Sequence, residues 1–392
     1  MTLRAADAVS TRADAHEAVR DAIDLAGVSL GGATPDLAAL FWTGEHTPHA
    51  ADLGAQVREA TGARRLIGAS CESVVGSGRE IEEGPALALW LLSAPGLDAR
   101  PFHLSARRAG DGIAFDGRSD AGDEDGAALL MIGDPFSLPM DVLLRQLEES
   151  RPDLPVIGGM ASAGRAPGEN ALLIDGEMHR SGAVAFALGG DVEMRSVVSQ
   201  GCRPIDRPWI VTKVEGPRVL ELGGRPALER LREALAQAGA SEREQFQRAP
   251  QIGVAMDEHH RDTLGRGDFL VRIVLGFDPK SGALAVGEQL RRGQTVQFHV
   301  RDADSADEDL RLALDEVAAD DAFHARSGLL FTCNGRGKRL FGAPDHDVAA
   351  VRTALGEMPL AGFFAAGEIG PVGGRSFLHG FTASLLLFGE SA

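Results

Sequence analysis

Apolar residues along this chain gather into short unbroken runs that stop at glycines, and the stretches between them repeat their apolar positions at helical spacing. Leu37 to Thr43 is one such run, Ala50 to Thr61 has helical spacing, and Arg64 to Cys71 is apolar again. Runs this short, with no polar alternation, suit strands buried on both faces, as in strand-helix-strand units. The same order recurs at 127–133, 140–150 and 155–164, and again at 328–333, 347–356 and 359–367. From strand-end residue to later glycine, the pairs Gly44 and Gly68, Gly133 and Gly158, and Cys333 and Gly362 are 24, 25 and 29 residues apart. A further apolar strand follows each unit, at 85–93, 182–188 and 381–388. The pattern predicts three degenerate copies of one unit, with Cys333 standing where the others have Gly44 and Gly133. A right-handed crossover makes the two strands of each unit parallel, so their glycine-rich loops emerge on one edge, the edge where open α/β sheets bind ligands.

Outside the copies the pattern changes. Residues 12–26 put Ala15, Val19, Ile23 and Leu25 on one helical face, with the helix expected to end at Gly27. Between the second and third copies, strand-like segments at 252–256, 269–277, 284–288 and 295–301 are separated by the turns 279–282 and 291–294, which predicts an antiparallel meander. Arg225-Pro226 opens a helix, and Ser305 with Glu308 forms a capping box for another. The expected fold class is therefore α/β, mixed α+β, in two halves with mixed sheets. The expected division is an N-terminal helix at 1–26 packed on a first domain at 27–215, then a second domain at 216–392.

Composition narrows the function classes. The 392 residues are 44% hydrophobic and 24% charged, and no apolar run approaches the roughly 20 residues of a membrane helix. The first residues have acidic side chains and no apolar core segment, unlike a signal or transit peptide, so a cytoplasmic location is expected. A formal charge of −18 repels phosphate backbones, which argues against nucleic acid as a partner. Cys71, Cys202 and Cys333 form no Cys-x-x-Cys pair, which argues against a disulfide framework and a structural zinc site. His46 with His49, and Asp257 with Glu258, His259 and His260, lack the spacing of a ligand set, so neither metal nor other cofactor is expected. The acidic clusters at 120–125 and 302–309 read as solvated loop and helix start.

The segment Phe331-Thr-Cys333-Asn-Gly-Arg336-Gly337, then Pro359-Leu-Ala-Gly362-Phe-Phe-Ala-Ala-Gly367-Glu368-Ile-Gly370-Pro371, then Leu378-His379-Gly-Phe-Thr382, resembles the C-terminal half of FIST-domain proteins. Gly133-Asp134, Leu154 to Ser162 and Val211 to Gly216 resemble the N-terminal half, so that 27–215 would be the N-type and 216–392 the C-type domain. The resemblance implies a stand-alone sensory module that binds a small ligand such as an amino acid and passes its output to a separate signalling protein.

Candidate chemistry centres on the same residues. Arg336, between Gly335 and Gly337, offers a planar fork for a carboxylate, or else pairs with an aspartate. Glu368, after an apolar run, suits a ligand ammonium or a structural pairing with Arg336. Asn334, Gly367, His379, Thr382, Asp134 and Ser162 complete the expected ligand-binding set with Cys333. The alternatives are a hydrolase or transferase in which Cys333 is the nucleophile with His379 and Glu368, and a non-catalytic adaptor.

Overall fold

The computed structural model describes residues 3–110, 112–117, 128–256, 258, 264 and 267–391. The acidic stretch 120–125 and the residues Asp257, His259 and His260 lie outside them. Within these bounds the fold is mixed α/β, with sheets that combine parallel and antiparallel pairings.

The chain forms two compact units that do not follow its linear order. Residues 1–199 and 310–392 make one unit, and residues 200–309 make the other.

In the first unit the three copies are real and their ladders give their register. Leu37–Thr43 pairs parallel with Arg65–Cys71, Ala128–Gly133 with Val156–Met160, and Phe323–Cys333 with Leu360–Ala365. Leu40, Met131 and Leu330 sit opposite Gly68, Gly158 and Gly362 on these ladders. On their other side, the same three residues face Leu89, Ala185 and Leu385 in antiparallel pairing. Three residues further on, Thr43, Asp134 and Cys333 each donate a backbone N–H to the residue before that antiparallel strand, Ala86, Gly182 and Thr382, at 2.9, 2.8 and 3.0 Å. The position equivalent to Cys333 is therefore held by Thr43 and Asp134, and not by Gly44 and Gly133. Counting to the nearest glycine misses the ladder by one residue in each direction.

The glycines that revealed the repeat have one physical cause. A Cβ on Gly68, Gly158 or Gly362 would lie 2.4, 1.8 or 1.7 Å from the carbonyl oxygen of Leu40, Met131 or Leu330, closer than atoms can pack.

Each copy also has an outer strand before it and a hairpin after its second parallel strand. The outer strands Arg4–Ser10, Leu97–Ala109 and Glu193–Ser199 pair with Leu87–Ser93, Ala183–Gly190 and Ala383–Ser391. The hairpins are exchanged in a circle. Val74–Gly76 of the first copy pairs with Leu360–Ala365 of the third, Glu368–Val372 of the third pairs with Val156–Met160 of the second, and Leu172–Ile174 of the second pairs with Arg65–Cys71 of the first. The result is three sheets that share one order of six strands and are linked in a closed circle, the second sheet carrying Gly112–Asp116 as a seventh strand at its edge.

Alternate side chains of each strand serve two cores, which explains the unbroken apolar runs. The inward face, with Phe41, Leu130, Phe331 and Phe363, forms a core shared by all three sheets. The rings of Phe41 and Phe331 lie 5.0 and 5.4 Å from that of Phe363. The outward faces are covered by helices: Ala15–Leu30 and Ala50–Thr61 over the first copy, Met140–Ser150 over the second, and residues 310–318 of the helix Ala303–Ala318 with His346–Leu355 over the third. The first helix runs past the expected stop at Gly27 to a left-handed cap at Gly31, because Leu30 is still buried. Leu25, expected on the buried face, is 52% exposed. The helix expected from the Ser305 capping box begins earlier, at Ala303, because Asp302 Oδ1 accepts the Ser305 N–H at 2.7 Å.

In the second unit the first three strands of the expected meander are neighbours in order, but Ala283–Val286 continues to Arg218–Leu222 and not to Thr295–Arg301. Gln251–Ala255 pairs with both Phe269–Asp278 and Thr295–Arg301, which closes six antiparallel strands into a small barrel. Its core includes Trp209, Val219, Leu231, Phe246 and Phe298.

Candidate functional site

Pairing within each copy aims the carboxyl ends of its parallel strands in one direction, and hairpin exchange brings the three ends together. Ser70, Met160 and Phe364, equivalent in the repeat, donate their backbone N–H groups to Ala171, Gly367 and Ser73 of neighbouring copies at 2.9, 2.8 and 3.0 Å. Their carbonyls are used in the same circular way. Ser162 N–H reaches Ser70 O at 3.3 Å, and Ala366 N–H reaches Met160 O at 3.0 Å. At the third place the Ser162 hydroxyl is interposed, donating to Phe364 O and accepting the Glu72 N–H at 2.9 Å. Ser162 thus joins all three copies.

Glu72, one residue beyond its strand, receives donors from both other copies. Its carboxylate accepts from Arg165 Nη2 at 3.2 Å, Asn334 Nδ2 at 3.1 Å and Arg339 Nη2 at 2.8 Å. The Glu72 side chain is 20% exposed, whereas those of Arg165 and Arg339 are 75% and 64% exposed. Each of these guanidinium groups therefore keeps donors facing solvent. Arg165 rides on a loop that Asp134 holds. Asn170 Nδ2 and Ser137 Oγ donate to the buried Asp134 carboxylate at 2.9 and 2.6 Å, and Asn170 Oδ1 accepts the Gly164 N–H at 2.7 Å.

Arg336 closes the turn after the third copy's first strand, its N–H donating to Cys333 O at 2.8 Å, but its fork is occupied. Nε and Nη2 each donate to Asp347 at 2.7 Å, with both side chains essentially inaccessible. Thr332 Oγ1 donates to the same carboxylate at 2.6 Å, and His346 Nδ1 lies 3.0 Å from it. Burial alone would raise the Asp347 pKa, but the Arg336 charge and these hydrogen bonds outweigh it and hold the carboxylate below its usual range. Of the two pairings weighed for Arg336, aspartate or Glu368, the aspartate is the one found. Only Nη1 of Arg336 has no hydrogen-bond partner among the described residues.

The first copy's hairpin clamps this turn. Glu80 Oε1 accepts the N–H groups of Asp347 and Val348 at 2.9 and 3.1 Å, at the start of the helix His346–Leu355. Glu82, two residues on, accepts the Lys338 N–H at 3.0 Å. Its carboxylate lies over Gly337, whose φ is +60° and whose Cβ, if present, would lie 2.7 Å away. The backbone at Gly337, with φ of +60° and ψ of −146°, is what calls for glycine, since the Glu82 carboxylate could swing aside.

Glu368 is buried and its Oε2 accepts the Thr382 N–H at 2.9 Å, which ties the hairpin to the strand end at Cys333. His379 Nε2 lies 3.0 Å from Gly370 O, so Nε2 carries the proton and donates. Cys333 is buried, with 8% of the residue exposed, and the Gly335 N–H approaches its sulfur at 3.4 Å.

The structure thus gathers Cys333, Asn334, Gly335, Arg336, Gly337, Glu368 and Thr382 at one strand end, with Ser162 and Gly367 at the junction of the copies. Asp134 acts through the Arg165 loop. Sequence reasoning passed over Glu72, Arg165, Arg339, Glu80, Glu82 and Asp347. For Glu72 a signal existed, since it holds the repeat position of Ser162.

Comparison with known proteins places these elements in a family context. The FIST N domain model matches residues 36–225 and the FIST C domain model matches residues 227–371. An uncharacterized protein of Mycobacterium tuberculosis strain H37Rv is 46% identical over 381 residues, covering 97% of this chain and 98% of its own length. An uncharacterized protein of Mycobacterium bovis is 43% identical over 383 residues, covering 97% of each.

Proposed function

The chain belongs to the FIST family, whose domains are described as small-ligand-binding sensory domains, and from that premise we propose that it senses an amino acid or a similar zwitterionic metabolite at the junction of its three copies. The observation that carries this reading is the Glu72 carboxylate, met by Arg165 of one copy and by Asn334 and Arg339 of another. In such a site the ligand ammonium goes to Glu72 and the ligand carboxylate to the exposed faces of Arg339 and Arg165, a role first expected of Arg336. Exposed ion pairs contribute only about 0 to 1 kcal/mol each, so exchanging them for a ligand costs little, while the ligand's two charges are both met. Ligand capture would tighten the Arg165 loop and the Arg339 turn against the first copy, and a separate cytoplasmic signalling protein would read that change.

Thermal-shift measurements across the amino acids and other zwitterionic metabolites test the reading. Stabilisation by at least one compound is expected, and Glu72→Gln should remove it. A panel without any effect, or a shift that survives in Glu72→Gln, would rule the site out.

A further inference from the structure

We propose that His16, His49 and Asp52 bind a divalent transition-metal ion of the zinc, nickel or cobalt class. One donor atom from each of these residues lies within 4.8 Å of the others, although His16 is far away in the sequence. A metal at about 2.0 to 2.2 Å from each donor needs them somewhat closer, a change that rotation of these side chains supplies. His49 and Asp52 are exposed, and His16 is partly exposed, so rotation is open to them.

The local structure prepares the arrangement. His49 closes the short 3-10 helix Gly44–His49, and Asp52 and Gln56 follow it at spacings of three and seven residues, on one face of the helix Ala50–Thr61. That face is turned to His16, at the start of the helix Ala15–Leu30. The two imidazole rings meet edge to face with centroids 5.2 Å apart, and the Gln56 amide lies 2.7 Å from His16 Nδ1. It is the amide nitrogen that faces Nδ1 here; turned over, the amide presents its oxygen to Nδ1–H, which fixes the ring and frees Nε2 for the metal. Asp14, the N-cap of the first helix, adds negative charge next to His16.

Two imidazoles and one carboxylate select a borderline-soft divalent ion over magnesium or calcium, which prefer all-oxygen sites. Three protein donors leave positions open for water or a further ligand. The bound ion would fasten the first helix to the second on the outer side of the first copy.

The test is calorimetric titration of the full chain, stripped with chelator, with zinc and with nickel at pH 7.5, followed by cobalt(II) absorption spectra. One ion per chain is expected, with affinity reduced about tenfold or more in His16→Ala and in His49→Ala. His49 is exposed and the fold does not rest on it, so His49→Ala also serves where His16→Ala fails to fold. Undiminished affinity in His49→Ala, or absence of stoichiometric binding in the parent chain, overturns the proposal.

Discussion

Glu80 accepts the backbone N–H of Asp347 at 2.9 Å, so a carboxyl group from the first copy's hairpin caps the helix that holds the third copy's Arg336 turn. Burial, and then the neighbouring Asp347 charge, raise the Glu80 pKa from 4.5 to about 8. The folded chain therefore keeps a proton that the unfolded chain releases above pH 4.5. The stabilisation is complete below that pH and is lost as pH rises through about 8. Asp7 and Asp206, raised by burial to about 6, share the sign, so the informative range lies above pH 6. There, unfolding free energies from urea titrations should fall by up to about 1.4 kcal/mol per pH unit through this group, and Glu80→Gln should flatten that slope. An equal slope in parent and variant would show that Glu80 is ionised throughout.

Removing one member of the Arg336–Asp347 pair leaves an uncompensated buried charge. Arg336→Met should cost about 3 to 5 kcal/mol in chemical denaturation. The double variant Arg336→Met with Asp347→Leu should recover much of that loss, because both charges go together. A single variant as stable as the parent would contradict the buried, paired geometry.

The glycines opposite Leu40, Met131 and Leu330 permit a ranking. Gly362→Ala and Gly158→Ala bring a Cβ within 1.8 Å of a carbonyl oxygen, and Gly158 also has φ of +152°. Both should lose about 3 kcal/mol or more, or fail to fold. Gly380→Ala, with nothing within 4 Å of the added atom, should stay within about 1 kcal/mol of the parent. Soluble yield and urea midpoints measure the ranking.

The same glycines explain what the sequence could and could not disclose. A Cβ clash with the partner strand leaves a local mark, so the three parallel ladders and their following strands were visible at 24 to 29 residue spacing. The outer strand Arg4–Ser10 left no such mark, since its Ala-rich residues alternate between buried and partly exposed without large apolar side chains. Hairpin exchange is decided by how three copies close, and no local spacing encodes it. The partners of Glu72 depend on that closure, as does Glu80 on the Asp347 helix. Arg336 was legible as a charged residue in a glycine turn, but its partner, Asp347, lies 11 residues on and meets it only once the helix packs back. His16 and His49 come together through helix packing for the same reason.

The central claim is that one ligand site is built jointly by the three copies around Glu72. Titration calorimetry of a stabilising amino acid or metabolite against the parent, Arg165→Ala and Arg339→Ala tests it most directly, because these exposed side chains come from different copies and neither supports the core. Loss of a charged hydrogen bond is worth about 1.5 to 3 kcal/mol, so each variant should bind about tenfold or more weakly. Parent-like affinity in both variants would contradict the account.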